Sequence, residues 1–179
     1  MTKIQLSLAM EMKSNHYNSN IHRRRSIRLK GYDYSQAGLY FITICCQDRI
    51  CRFGKIENGE MVLNDVGKMV DDEWHYLTIK YPHIILHECI VMPNHFHGVI
   101  EIANTPVGAG EPRPDVPTLG NIIGYFKYQT TKKIDLPVKL WQRNYWEHII
   151  RNNNAYQRIA NYIINNPTKW KNDRFDINS

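Results

Sequence analysis

The 179-residue chain contains no run of 18 apolar residues, so no membrane-spanning helix is expected. Its first ten residues hold one lysine and a short apolar stretch broken by Gln5 and Ser7, with Glu11 next and no cleavage site. No secretory leader is therefore expected, and the cytoplasm is the expected compartment. Neither G-x-G-x-x-G nor G-x-x-x-x-G-K-[ST] occurs, which leaves a nucleotide-fuelled mechanism without support. There are only four cysteines, at 45, 46, 51 and 89, and none forms a C-x-x-C pair. Adjacent Cys45 and Cys46 would face opposite sides of a strand, so buried, reduced thiols are expected. With 42% hydrophobic and 22% charged residues, collagen-like, coiled-coil and wholly disordered chains are excluded.

Charge is unevenly placed. Residues 1–30 carry seven Lys/Arg against one acid, residues 31–117 six against twelve, and residues 118–179 ten against four. Two positive ends around a negative middle point to a polyanion, nucleic acid, bound along one side. The candidate contacts are Arg23, Arg24, Arg25 and Arg28 near one end, and Lys127, Lys132, Lys133, Arg143 and Arg158 near the other. Tyr145 and Trp146 are candidates for stacking on unpaired bases or for the core.

Residues 1–30 lack apolar periodicity and read as a flexible basic arm, leaving 31–179 as one domain with a Pro/Gly-rich loop at 103–117. Within the domain, residues 39–46 read as a central strand because both faces are apolar. Asn58-Gly59 between short apolar segments predicts a hairpin. Asn64 or Asp65 caps a helix to about Thr78, carrying Val66, Met69, Val70, Trp74 and Leu77 at helical spacing. Strands follow over 84–91 and 95–102 around a turn at Met92-Pro93-Asn94. Thr118 opens a second helix with Leu119, Ile122, Ile123 and Phe126 on one face. After an extended stretch ending near Ile150, Asn152 or Asn153 caps a last helix that must stop before Pro167. The order predicts an α+β sandwich, a mostly antiparallel sheet with helices on one face.

Two constellations carry chemistry. In a strand over 95–102, His95, His97 and Val99 share one face while Phe96, Gly98 and Ile100 share the other, so two imidazoles can converge on one metal ion. Of the other six histidines, His16 and His22 lie in the arm, His75, His83 and His87 show no evident partner, and His148 sits in an aromatic neighbourhood that suits a structural or DNA-contacting role rather than a catalytic one. On the last helix, Tyr156, Ile159, Ala160, Ile163 and Ile164 form an apolar stripe, and Tyr162, Asn166 and Arg158 project elsewhere. Tyr125 and Gln129 on the preceding helix repeat the same four-residue spacing, and periodicity alone does not choose between the two tyrosines.

Three segments in order resemble the single-tyrosine HUH transposases, and more closely the REP-associated tyrosine transposases. They are Val91-Met92-Pro93-Asn94-His95-Phe96-His97, the stretch from Leu140-Trp141-Gln142-Arg143 to His148-Ile149-Ile150-Arg151, and Asn161-Tyr162-Ile163-Ile164-Asn165-Asn166-Pro167. The resemblance spans residues 24–172 and implies a ferredoxin-like fold. It implies that His95 and His97 bind a metal and that Tyr162 is the nucleophile. Asn166 falls where insertion-sequence relatives carry a glutamine ligand, one methylene longer. It places Tyr125 and Gln129 on the wrong helix. The implied function is a metal-dependent single-stranded DNA endonuclease and strand transferase, acting at hairpin-containing sites through a 5′-phosphotyrosine. An open site beside phosphate favours Mg²⁺ or Mn²⁺. The partner is single-stranded DNA with a hairpin, the protein is a monomer or homodimer, and no membrane is involved. Two other readings remain, a rolling-circle HUH nickase and a non-catalytic nucleic-acid-binding module of the same fold.

Overall fold

The structure is a computed structural model that describes residues 28–103, 117–172 and 175. Nearly all of the 1–30 arm and of the 103–117 loop therefore lies outside the described residues. The chain divides between Lys30 and Gly31, and the elements of the described residues follow that boundary.

Strand β1 (Gly38–Cys45) is followed by a hairpin of β2 (Gly54–Glu57) and β3 (Glu60–Leu63), then helix α1 (Asp65–Lys80). Strands β4 (Ile84–Met92) and β5 (His95–Ile102) precede α2 (Leu119–Ile134), then β6 (Trp146–Ile150) and α3 (Asn153–Ile164). A short 3₁₀ helix, Pro167–Asn172, closes the described elements. The main sheet runs β4-β5-β1-β6 with every neighbouring pair antiparallel. With the hairpin set aside, this is a βαββαβ chain whose first strand lies between the third and fourth, the ferredoxin-like order.

Local chemistry explains the boundaries. Asn64, Thr118 and Asn152 stand before the three helices, and each side chain accepts a hydrogen bond from a backbone N–H of the first turn. Thr118 and Asn121 bond reciprocally, closing a capping box. Asn58 and Gly59 both hold positive φ, 52° and 82°, which matches the twist of the β2–β3 hairpin. Pro167 lacks the N–H that another α-helical turn would need, and α3 ends at Ile164.

β1 is central and covered on both faces. On one side Tyr40, Ile42, Ile44, Phe96, Ile100 and Ile102 of the sheet meet Val70, Trp74 and Leu77 of α1 and Leu119, Ile122, Ile123 and Phe126 of α2. The Trp74 ring lies 4.7 Å from that of Phe96 and 5.5 Å from that of Phe126. Trp74 fits because Gly98 leaves room, since a Cβ there would stand 2.8 Å from Trp74 Cζ2. Burying each such side chain contributes about 1.5–3 kcal/mol.

The expectation of helices on one face is corrected by α3. Its Ala160 and Ile163, with Tyr156 and Ile159, pack against Val99, Phe41, Leu39, Ile90 and Ile150 on the opposite face of the sheet. The cause is that both faces of β1 are apolar, so the second face needed a cover. Ile164 departs from the predicted stripe and is 61% exposed, because it lies about 100° around the helix from Ile163. Cys51 is also exposed, against the expectation of four buried thiols.

Candidate active site

Antiparallel pairing places Thr43 opposite His97 and Cys45 opposite His95, on the α3 face of the sheet. The strand alternation of β5 thus holds as predicted, with Phe96 in the α1/α2 core and both histidines on the other side. His95 and His97 are 0% and 1% exposed. Their Nε2 atoms lie 3.0 Å apart. Each ring is held from behind: His95 Nδ1 is 2.9 Å from Asn94 Oδ1, and His97 Nδ1 is 2.8 Å from Thr43 Oγ1. Asn94 belongs to the two-residue turn between β4 and β5, so the residue that holds His95 is its own neighbour.

Tyr162 comes from the last turn of α3. Its hydroxyl lies 3.3 Å from His97 Nε2, and its ring meets Phe41 edge-on at 6.2 Å. The residue is 39% exposed, so the phenol stands at the rim of a buried imidazole pair. Asn166 sits just past α3, where its N–H reaches back to the Ile163 carbonyl. Its side chain turns inward and its Oδ1 is buried without a hydrogen-bond partner. A buried amide oxygen left unpaired costs about 1–3 kcal/mol, a debt that a cation would cancel. The Phe175 ring lies 4.5 Å from His95, and Trp170 stacks on the same imidazole at 6.0 Å.

The competing tyrosine is resolved by topology. α2 packs on the opposite face of the sheet from the histidines, and Tyr125 stands there against Tyr81, 5.7 Å between ring centres, and under Lys80. The structure brings Tyr162, not Tyr125, to the histidine pair.

The basic residues divide. Arg23, Arg24 and Arg25 lie outside the described residues. Arg28, Lys132, Arg143 and Arg158 are exposed, and Arg158 shares α3 with Tyr162. Lys127 is otherwise engaged: its Nζ donates to the carbonyls of Gln142 and Arg143 at 2.6 and 2.9 Å, and burial lowers its pKa. Lys133 is paired with the buried carboxylate of Glu73. Lys127, Lys132 and Lys133 all belong to α2, across the sheet from Tyr162. Of the stacking candidates, Tyr145 is in the core and Trp146 is 58% exposed.

Two histidines without evident partners do have them. His87 Nε2 lies 2.9 Å from Glu101, and His75 Nδ1 lies 2.9 Å from the Asp71 carbonyl. Asp71, His75 and Cys89 bring their ligand-type atoms within 4.8 Å of one another, and burial pushes the Cys89 thiol up to about 12. Thr43 and Asn94 were missed as part of the site. Thr43 was legible only through cross-strand pairing, and Asn94 only through its place directly before His95.

Two sequence relatives and one solved structure are similar to this chain. An uncharacterized protein of Haemophilus influenzae is 42% identical over 175 residues, covering 90% of this chain and 97% of its own, so the two belong to one family. A second Haemophilus influenzae protein, provisionally named a REP-associated tyrosine transposase, is 26% identical over 150 residues, covering 76% of this chain and 74% of its own. The solved structure of a REP-associated tyrosine transposase bound to a REP hairpin superposes with a TM-score of 0.57 at 21% identity, covering 82% of this chain and 74% of that one. In sequence and in fold this chain is similar to the REP-associated tyrosine transposases. No protein-family model matches it. Among the described residues, no helix is long and apolar enough to cross a membrane.

Proposed function

We propose that this protein is a divalent-metal-dependent single-stranded DNA endonuclease and strand transferase that works through Tyr162. The observation that carries the reading is the Tyr162 hydroxyl at 3.3 Å from the Nε2 of a buried histidine pair. The donor set fits a metal ion. The Nε2 atoms of His95 and His97 lie 3.0 Å apart on one face of the sheet, close enough for both rings to serve a single ion. The unpaired Oδ1 of Asn166 is an oxygen donor of the kind that Mg²⁺ and Mn²⁺ take.

His95, His97 and Asn166 would hold such an ion, which would supply Lewis acidity to a non-bridging phosphate oxygen. The rest is the chain's own. A free phenol has a pKa near 10 and attacks poorly, so Tyr162 must give up its proton as it reacts. Its oxygen attacks phosphorus in line; the new bond joins that oxygen to phosphorus, and the bond to the 3′-oxygen breaks. The proton lost by the phenol matches the one the 3′-oxygen gains. The products are a 5′-phosphotyrosine and a free 3′-hydroxyl, and attack by a 3′-hydroxyl on the ester rejoins a strand without ATP. The burial of both imidazoles lowers the local dielectric and strengthens this electrostatic work.

The substrate reading is single-stranded DNA beside a hairpin, supported by the REP hairpin bound in the solved relative. Arg158 on the tyrosine helix and exposed Arg143 are placed to take phosphates, and exposed Trp146 to stack on an unpaired base. The test is to incubate the protein with labelled single strands that span palindromes near its own gene, with Mn²⁺ or Mg²⁺, then denature and digest it. Label on the peptide containing Tyr162 is the expected result. Tight hairpin binding with no adduct would instead make the protein a binding module.

A further inference from the structure

We infer that Asn94 is a positioning residue that fixes the protonation pattern of His95, so that the Nε2 lone pair of that ring always points into the metal site. The inference rests on the metal reading above.

The argument is a count of donors and acceptors. The Asn94 side-chain nitrogen lies 2.9 Å from the Arg49 carbonyl and 2.7 Å from the Phe175 carbonyl. Carbonyl oxygens only accept, so the amide must present its NH₂ to them, and both of its hydrogens are used. That leaves Oδ1 facing His95 Nδ1 at 2.9 Å. An amide oxygen cannot donate, so the hydrogen of this bond belongs to His95 Nδ1. In a neutral imidazole with Nδ1–H, Nε2 carries the lone pair. Asn94 is 1% exposed, so water does not offer an easy substitute for any of the three bonds.

His97 is held differently. Its Nδ1 meets a threonine hydroxyl, and a hydroxyl can donate or accept by rotating about its C–O bond. Two lone pairs do not face each other across 3.0 Å; either a hydrogen or a cation has to lie between the two Nε2 atoms. Because His95 cannot supply that hydrogen, His97 must, and it must surrender it when a cation enters. Thr43 permits the change, since its hydroxyl donates to Nδ1 in one state and accepts from Nδ1–H in the other. One histidine is thus locked and the other adjustable, and the lock comes from Asn94.

Two substitutions separate this role from a merely structural one. Asn94→Ala and Asn94→Asp both lose the two bonds donated to Arg49 and Phe175, so they share that loss of anchoring. Only Asn94→Asp keeps an acceptor for His95 Nδ1–H. Mn²⁺ affinity of the full chain, measured by calorimetry above the ordinary imidazole pKa, is expected to fall about 10–100-fold in Asn94→Ala. It is expected to stay within a few-fold of wild type in Asn94→Asp. Long-range nitrogen–proton NMR of protein prepared without metal reads the ring directly: His95 is expected as the Nδ1–H form in wild type and Asn94→Asp, and as a mixture in Asn94→Ala. Equal losses of Mn²⁺ affinity in the two variants, or a loss in neither, would overturn the inference. Wild-type protein that takes up no Mn²⁺ while still binding hairpin would overturn the metal reading and this inference with it. Wild type that takes up Mn²⁺ with His95 in the Nε2–H form beforehand would overturn this inference alone.

Discussion

The two faces of the four-stranded sheet divide the labour of the molecule. One meets α1 and α2 through Ile42, Ile44, Phe96, Trp74 and Phe126, almost wholly apolar and fully buried. The other presents Thr43, His95 and His97 beside a smaller apolar cluster under α3. The same strands, β1 and β5, serve both, because successive side chains point to opposite sides. Stability comes chiefly from the first face, and this leaves the second free to bury polar groups that a core would reject.

The sharpest test of that division is Tyr162→Phe. It removes one hydroxyl at the rim of the polar face, and it should reduce covalent DNA adduct to background while leaving hairpin binding and the melting temperature unchanged. Trp74→Ala attacks the other face and should cost about 3–5 kcal/mol, read from the denaturant midpoint. If Trp74→Ala were tolerated, the apolar face would not be the main source of stability. Lys127→Ala should lower stability by about 1.5–3 kcal/mol, because it breaks two charge-assisted bonds to carbonyls. It should leave the salt dependence of DNA binding unaltered, whereas Arg158→Ala should reduce that slope by about one with no change in melting. Gly98→Ala presses a methyl group toward Trp74 and should cost about 1–3 kcal/mol in chemical denaturation. Tyr125→Phe, on the apolar side, should leave adduct yield as in wild type; a loss there would undo the assignment of the nucleophile to α3.

Much of this was legible before any coordinates. The helix caps, the Asn58-Gly59 hairpin and the alternation of His95, Phe96 and His97 are local chemistry, and local chemistry shows in a sequence. What was not legible depends on which surfaces meet. Periodicity shows that α3 has an apolar stripe and cannot say which side of the sheet receives it. For the same reason it could not separate Tyr162 from Tyr125, two tyrosines with equal spacing on helices that pack on opposite faces. Lys127 and Lys133 read as free positive charge because their partners, backbone carbonyls of residues 142–143 and Glu73, are distant in sequence. Asn94 read as a turn residue, which it is; its part in holding His95 appears only once Arg49 and Phe175 fix which way its amide faces.

The tight turn between β4 and β5 has a consequence for how this protein can change over generations. Pro93-Asn94 has no slack, so one residue inserted into or deleted from β5 would exchange its two sets of side chains, placing imidazoles against Trp74 and Phe96 toward α3. Inheritance of this strand must therefore proceed by substitution at fixed length. Among the described residues the β2–β3 hairpin pairs with no other strand, and it is there that growth and shortening of the chain can accumulate.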